Sequence, residues 1–320
     1  MDFAKRIISP DKNQILSQDG YLFWCGSAVG DGNGKYHIFA SRWEKKHGMI
    51  GWLHFSKIVR GVSDKPEGPY KIEEELTSLL QPWCAKMTHN PTVHKFGNKY
   101  YLYYLGTTYD DNTDIPKMHG MLAECPARFN QRIGVAVADG PEGPWVPNAN
   151  NPVLKPRPGE WDSTFVTNPS VFEGPNKKYH LIYKAKWHTD SRLILGLAIS
   201  DSPVEGFKRF GPSPIFAHDV EDPYVWNENG RYWMLAKDMS GKVTNKMEGI
   251  LFVSENGADW ELSGTPFAYD RTIQWSDGTS ETVKNLERPQ LLVENGKPVC
   301  FYAAIMRDAN DITNLARLIN

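Results

Sequence analysis

"DPYVWNENGRYWMLAKD", residues 222–238, starts with an acid and a proline, runs through a short apolar stretch, turns at Asn227–Gly230 and continues into an aromatic stretch. Two apolar runs around a turn rich in Asn and Gly spell an antiparallel hairpin. The unit recurs as "NPTVHKFGNKYYLYY" from Asn90, "NPSVFEGPNKKYHLIYKA" from Asn168 and "RPQLLVENGKPVCFYAA" from Arg288. A copy without the proline, "GSAVGDGNGKYHIFASRW", begins at Gly26. Self-similarity at this spacing is the mark of a repeat architecture, each unit supplying one supersecondary element.

Most copies continue into a third strand closed by a turn of an acid with Pro or Gly: "VRGVSDKPEGPY" (59–70), "IGVAVADGPEGPW" (133–145), "LGLAISDSPVEGF" (195–207) and "ILFVSENGADWEL" (250–262). Five units of three or four antiparallel strands predict an all-β, five-bladed β-propeller, whereas a sandwich needs fewer and longer repeats. One domain over 1–320 is expected, with blades near 22–70, 86–145, 160–207, 218–262 and 283–317. Helix is expected to be scarce, with short turns at 73–80 and near 123–131. The stretch 106–132 is too long for a hairpin loop and reads as an insertion that shapes a site on one face.

Composition narrows the function. Formal charge is 36 − 38 = −2, with both signs interspersed, so nothing suggests nucleic acid or an anionic membrane as partner. The 11 Trp, 14 Tyr and 14 Phe beside 27 Gly and 22 Pro suit short strands, tight turns and stacking on flat ligands. Cys25, Cys84, Cys125 and Cys300 form no CxxC pair, which argues against a zinc site or a disulfide scaffold. The N-terminal "MDFAKRIISPDKNQIL" lacks the apolar core of a signal peptide, and no apolar run approaches the ~18 residues of a membrane span. The expectation is a cytoplasmic protein, or an exported one whose signal has been removed.

In a propeller the innermost strands line a central channel, so residues at their entrances converge although distant in sequence. The positions around each proline nominate Trp24, Cys25 and Gly26, then His89 and Asn90, Asn168, Glu221 and Asp222, and Glu287 and Arg288. Asn or Asp before Pro also opens turns. A unit kept only for its turn has no reason to vary that residue between Asn, Asp and Arg, or to place His89, Glu221 and Glu287 just ahead. Asp162, in "PGEWDSTFVTNPSVF", leads into Asn168 by six residues. With Asp222 and Glu287 it offers the carboxyl groups that glycoside hydrolysis needs, one protonated and one ionised. Apolar surroundings from Trp24, Trp161 and Trp226 are expected to keep the acid protonated. Basic residues recur at second-strand ends: Arg42, Lys184 and Lys186, Lys237 and Arg307. They read as solvated or blade-to-blade pairs, or as receptors for an anionic group on a sugar.

These motifs, "HNPTVHKFGNKYYLYY", "WDSTFVTNPSVF", "EDPYVW", "LERPQLL" and "WCGSAVGDGNGKYHIFASRW", together resemble the five-bladed propeller glycoside hydrolases of families 43 and 117 over nearly the whole chain. The resemblance implies an inverting hydrolase acting at the non-reducing end of a plant or algal oligosaccharide, with acidic residues at the channel mouth and no metal or organic cofactor. Asp222 and Glu287 match the acidic positions; Cys25 and Gly26 stand where the first inner strand would carry aspartate, and Asn90 replaces aspartate in the second. The base is then Asp162 or Asp222, with Glu221 as a substitute, and the acid is Glu287 or Glu221, with His89 as another candidate. Trp24, Arg42, His89, Asn90, Asn168, Lys186, Lys237 and Arg288 are the expected sugar contacts. Rival readings are a phosphorylase like those of family 130, with Arg42, Lys186, Lys237 and Arg288 holding phosphate, and a non-catalytic carbohydrate-binding propeller.

Overall fold

The computed structural model of the chain describes residues 1–110, 125–187, 192–215, 219–245 and 247–320. Five four-stranded antiparallel sheets stand around one axis as the blades of a propeller. From the axis outward, the first blade runs through Tyr21–Gly30, Tyr36–Glu44, Lys57–Ser63 and Lys71–Glu75. The second runs through Met87–Phe96, Lys99–Thr107, Arg132–Ala138 and Val146–Pro147, and the third through Phe165–Glu173, Tyr179–Lys186, Ile194–Ser200 and Lys208–Arg209. The fourth comprises Val220–Glu228, Arg231–Asp238, Gly249–Ser254 and Glu261–Tyr269. The innermost strands touch one another in sequence, and the fifth touches the first to close the ring.

The fifth blade closes with a strand from the other end of the chain. Asn285–Glu294, Lys297–Asp308 and Asp311–Leu318 are completed by Ile15–Leu16, which pairs Ile15 with Leu315 and Leu16 with Asn314. The repeat pattern had placed this blade wholly within 283–317. A two-stranded hairpin, Thr272–Gln274 with Ser280–Thr282, precedes it.

Alternation along each strand sends apolar side chains to both faces, so the cores lie between blades rather than inside them. Tyr224, Trp226 and Leu235 of the fourth blade pack on Leu291, Phe301 and Ile305 of the fifth. Equivalent clusters join the second to the third around Tyr103, Trp161 and Tyr183, and the fifth to the first around Phe23, Ile38 and Tyr302. Each such side chain contributes about 1.5–3 kcal/mol when fully buried. Trp161 and Trp226 belong to these cores; of the three tryptophans expected beside the acid, Trp24 alone lines the channel.

Among the described residues helix is confined to single turns. The expected turn at 73–80 is half strand, since 73–75 complete the first blade's outer edge and Thr77–Leu79 follow as one 3-10 turn. Of the insertion read over 106–132, residues 111–124 lie outside the described residues, as does the start of the turn expected near 123–131. Its remainder holds a short helix, Pro126–Phe129. A second, Trp52–Phe55, was not foreseen; it sits between the second and third strands of the first blade.

Candidate active site

Every innermost strand breaks register at the same place. In the fourth blade Glu221 pairs with Lys237 and Tyr224 with Leu235, so Asp222 and Pro223 together face Ala236. The same bulge occurs at Cys25–Gly26, Asn90–Pro91, Asn168–Pro169 and Arg288–Pro289. A bulge leaves one residue unpaired, and proline fits there because no ladder bond is asked of it. In the first blade Gly26 stands in for proline and donates its N–H to Asn314 Oδ1 at 2.8 Å. The X-Pro pairs are therefore mid-strand bulges, not the turn openers or strand starts that the sequence suggested.

The first bulge residue is left-handed in all five blades: φ is 54° at Cys25, 49° at Asn90, 52° at Asn168, 61° at Asp222 and 55° at Arg288. Asn and Asp tolerate this region; for Cys and Arg it costs roughly 1–2 kcal/mol each. Strain of this kind persists where surrounding structure over-determines it, commonly at functional sites. Here it places five side chains in one buried ring. Asn90 Nδ2 donates to Asn168 Oδ1 (2.7 Å), and Asn168 Nδ2 to Asp222 Oδ1 (2.5 Å). The backbone N–H of Arg288 donates to Asp222 Oδ2 (3.1 Å), and its Nε to Cys25 Sγ (3.3 Å). Cys25 Sγ closes the circuit on the carbonyl of Pro91 (3.3 Å).

One residue ahead of the ring stand Trp24, His89, Thr167, Glu221 and Glu287, all lining a cavity of about 190 Å³ that Asn90, Asn168, Asp222 and Arg288 of the ring also line. Lys237 donates to Glu221 Oε1 (3.2 Å) and to Glu287 Oε1, while Lys184 donates to Glu221 Oε2 (2.8 Å). Oxygens of Glu221, Asp222 and Glu287 lie within 4.8 Å of one another. Lys237 already supplies a counter-charge to two of them.

These surroundings drive the two glutamates apart. Burial raises the carboxyl of Glu221, but Lys184 and Lys237 together outweigh it and hold the group well below the usual carboxylate range. Burial also raises Glu287; Lys237 opposes this, Glu221 and Asp222 add to it, and the carboxyl is pushed up to about 7. Lys237 stays cationic although buried, because Glu221 and Glu287 flank it. Burial and then the charges of Arg288, Lys184 and Arg128 push the His89 imidazole well below its usual range. His89 is thus neutral, bonded through Nδ1 to Ser56 Oγ (2.8 Å) and stacked on Trp52. It does not fit the general acid considered for it.

Of the residues expected from sequence, Trp24, His89, Asn90, Asn168, Glu221, Asp222, Glu287 and Arg288 line the cavity, and Lys237 is bonded to two of its acids. Three others lie elsewhere. Asp162 is fully buried outside the lining and held by Arg157 Nε (2.9 Å), Arg209 Nε (3.0 Å) and Tyr183 Oη (3.0 Å), so it is no candidate base. Arg42 pairs with Glu75 (3.0 Å) of its blade's outermost strand and lies over Tyr21, outside the cavity lining. Lys186 stands opposite Phe165 at the strand end, two residues beyond Lys184, which lines the cavity instead. Arg307, also among the basic candidates, pairs with Glu281 and Asp311.

The walls come from Met49, Trp52, Leu105, Arg128, Gln131 and Thr167, none of them anticipated. Thr167 was readable as the third blade's counterpart of Glu221. Arg128 and Gln131 sit in the insertion, whose length was the available signal, and Met49 and Trp52 in the short helical turns that connect the first blade's second and third strands, which follow no repeat pattern.

No family profile and no curated protein matches the chain. Solved structures share its five-bladed propeller fold. A family 117 glycoside hydrolase produced by the marine bacterium Zobellia galactanivorans superposes with a TM-score of 0.69 at 16% identity, covering 98% of this chain and 89% of that one. The endo-arabinase from Bacteroides thetaiotaomicron gives 0.63 at 12% identity, over 98% of each chain. The α-L-arabinofuranosidase from Podospora anserina in complex with cellotriose gives 0.62 at 12%, over 98% and 94%. At these identities the likeness is one of fold.

Proposed function

We propose that the chain is a glycoside hydrolase that removes a sugar from the non-reducing end of a plant or algal oligosaccharide. One observation carries the reading: two buried carboxyl groups grip the same ammonium, and their surroundings push one up to about 7 and hold the other low. Such divergence is how an acid and an ionised partner are assigned. Fold alone would not suffice, since one fold hosts many activities. The glycoside-acting proteins that share the propeller agree with the reading.

In this reading Glu287 gives its proton to the glycosidic oxygen as the bond to the anomeric carbon breaks. Glu221, ionised, attacks that carbon and forms a glycosyl ester. Water then replaces Glu221 while Glu287 takes the water's proton, returning both groups to their starting states. Asp222 is tied on both oxygens and holds the ring that supports them. Inversion needs carboxyl groups about 6.5–9.5 Å apart, with water between them, and retention about 5–5.5 Å. One oxygen from each acid lies within 4.8 Å of the others, and Glu221 and Glu287 share Lys237, a closeness that leaves little room for a water between them and makes retention the proposed outcome in place of the inversion expected from the resemblance. The small cavity, lined in part by the ring, suits a terminal unit.

Incubation with a panel of oligosaccharides, with and without phosphate, followed by NMR of the first product, tests this. The expected result is phosphate-independent release of a sugar whose anomeric configuration matches the substrate. Release of a sugar phosphate points to a phosphorylase, and binding across the panel without turnover to a carbohydrate-binding propeller. An inverted product removes Glu221 as nucleophile.

A further inference from the structure

The cavity wall carries more positive charge and hydrogen-bonding capacity than the protein itself uses. Arg128, Lys184 and Arg288 line it and Lys237 adjoins it, four cations against the three carboxyl groups of Glu221, Asp222 and Glu287. Lys237, Lys184 and Arg288 each have an acidic partner: Glu221 for both lysines, Glu287 also for Lys237, and Asp222 for Arg288. Among the described residues Arg128 has none. Its guanidinium carbon lies 5.4 Å from the ring centre of Trp52 and 4.8 Å from that of Phe165.

The polar atoms around it are also unmatched. Both amide atoms of Gln131, Oγ1 of Thr167, Oδ1 of Asn90, and Nη1 and Nη2 of Arg288 have no hydrogen-bond partner among the described residues. These four residues are at least nine-tenths buried. Buried polar groups are normally paired, so the set offers hydrogen-bonding capacity to whatever polar molecule enters the cavity. Sugar hydroxyls answer the amide and the threonine. They leave Arg128 with no direct ion pair among the described residues, Glu221 and Asp222 acting on it only from a distance, and a guanidinium beside two aromatic rings is a planar fork suited to an oxyanion.

We infer that the sugar seated in the cavity carries an anionic group, a carboxylate or a sulfate ester, and that Arg128 receives it with Gln131 alongside. This rests on the glycosidase reading, and it names the substrate class as acidic oligosaccharides. Free phosphate offers the same oxyanion chemistry and is separated by the test.

Binding is measured by calorimetry on the full chain carrying Glu287→Gln. The probes are uronic-acid-terminated oligosaccharides against their carboxyl-reduced counterparts, sulfated ones against desulfated, and the neutral members with added inorganic phosphate. At least one charged member is expected to bind about tenfold more tightly than its neutral counterpart, a 1.4 kcal/mol difference. Adding Arg128→Gln erases that preference, the charged members losing about tenfold more affinity than their neutral counterparts; Arg128→Lys keeps part of it. Equal binding of charged and neutral members, no binding by any probe, or equal loss for both in Arg128→Gln overturns the inference. So does neutral binding that appears only with phosphate. A charge preference in binding without turnover by the unmodified chain sinks the hydrolase reading and leaves this inference standing.

Discussion

Ahead of the third blade's innermost strand, Asp162 is gripped by two arginines and a tyrosine hydroxyl. At the channel mouth, Glu287 shares a single ammonium with Glu221 and lies beside Asp222. Both carboxyl groups are buried and both touch a cation. The difference is the local balance of charge: two arginines serve the one acid at Asp162, whereas Glu287 has a single cationic partner, Lys237, which it shares with Glu221, and Asp222 lies close by. Burial beside a cation therefore does not identify chemistry. What matters is whether the neighbours satisfy a carboxylate or compete with it for the same counter-charge.

Neutralising each acid should separate the two sites. Glu287→Gln removes the proton donor while relieving repulsion from Glu221 and Asp222, so turnover should fall about 10²–10⁴-fold, the usual worth of a general acid. Its melting temperature should hold or rise. Asp162→Asn should lower stability by about 3–5 kcal/mol, because two arginines lose their buried partner, with activity of the folded fraction within a few-fold. Steady-state kinetics and thermal unfolding of both variants check this. If Asp162→Asn loses activity as steeply as Glu287→Gln with no loss of stability, the contrast collapses.

The same contrast explains what the sequence could and could not reveal. The ring was readable because five copies of one hairpin repeat the same X-Pro or Cys-Gly step, and propeller symmetry brings equivalent positions together. The left-handed bulge that aligns them was not, since Cys25 and Arg288 have no preference for that conformation. Asp162 looked eligible because it stands six residues from Asn168, yet a strand entrance is where the chain comes in from the blade's periphery. Arg128 and Trp52 escaped because they sit on single helical turns in the connections between strands, too short for a periodicity to show. The closing strand Ile15–Leu16 is too short to show alternation.

Acidity gives a further contrast. Glu287 must be protonated to act, so kcat/KM should fall about tenfold per pH unit above its value of about 7. Glu221, held low, should keep the acidic limb below the usual carboxylate range. Stability follows linkage. The folded-state value for Glu287 exceeds the unfolded one of about 4.3, so the folded protein binds more protons between the two. This group's contribution is full below about 4.3 and lost as pH rises through about 7. Glu221 acts in reverse, contributing above the unfolded value and losing that contribution as pH falls through its depressed one. Denaturant titrations across pH should show a smaller decline from pH 5 to 7 in Glu287→Gln than in the parent.

The smallest effect is expected inside the Asp162 clamp. Arg157 is about a third exposed at its side chain and Arg209 about half as much, and each donates through Nε to a different carboxylate oxygen. Removing Arg157 leaves Asp162 with Arg209 and Tyr183, so Arg157→Gln should cost only about 1 kcal/mol, near the upper end for exposed ion pairs. Arg209→Gln, from the more buried position, should cost more. The double variant should lose more than the sum by about 0.5–3 kcal/mol, since the second removal strands a buried carboxylate that the first left paired. A double-mutant cycle by urea denaturation reads the coupling. Strict additivity would mean that Asp162 is not held redundantly, and that its neighbours do not explain why it stands outside the chemistry.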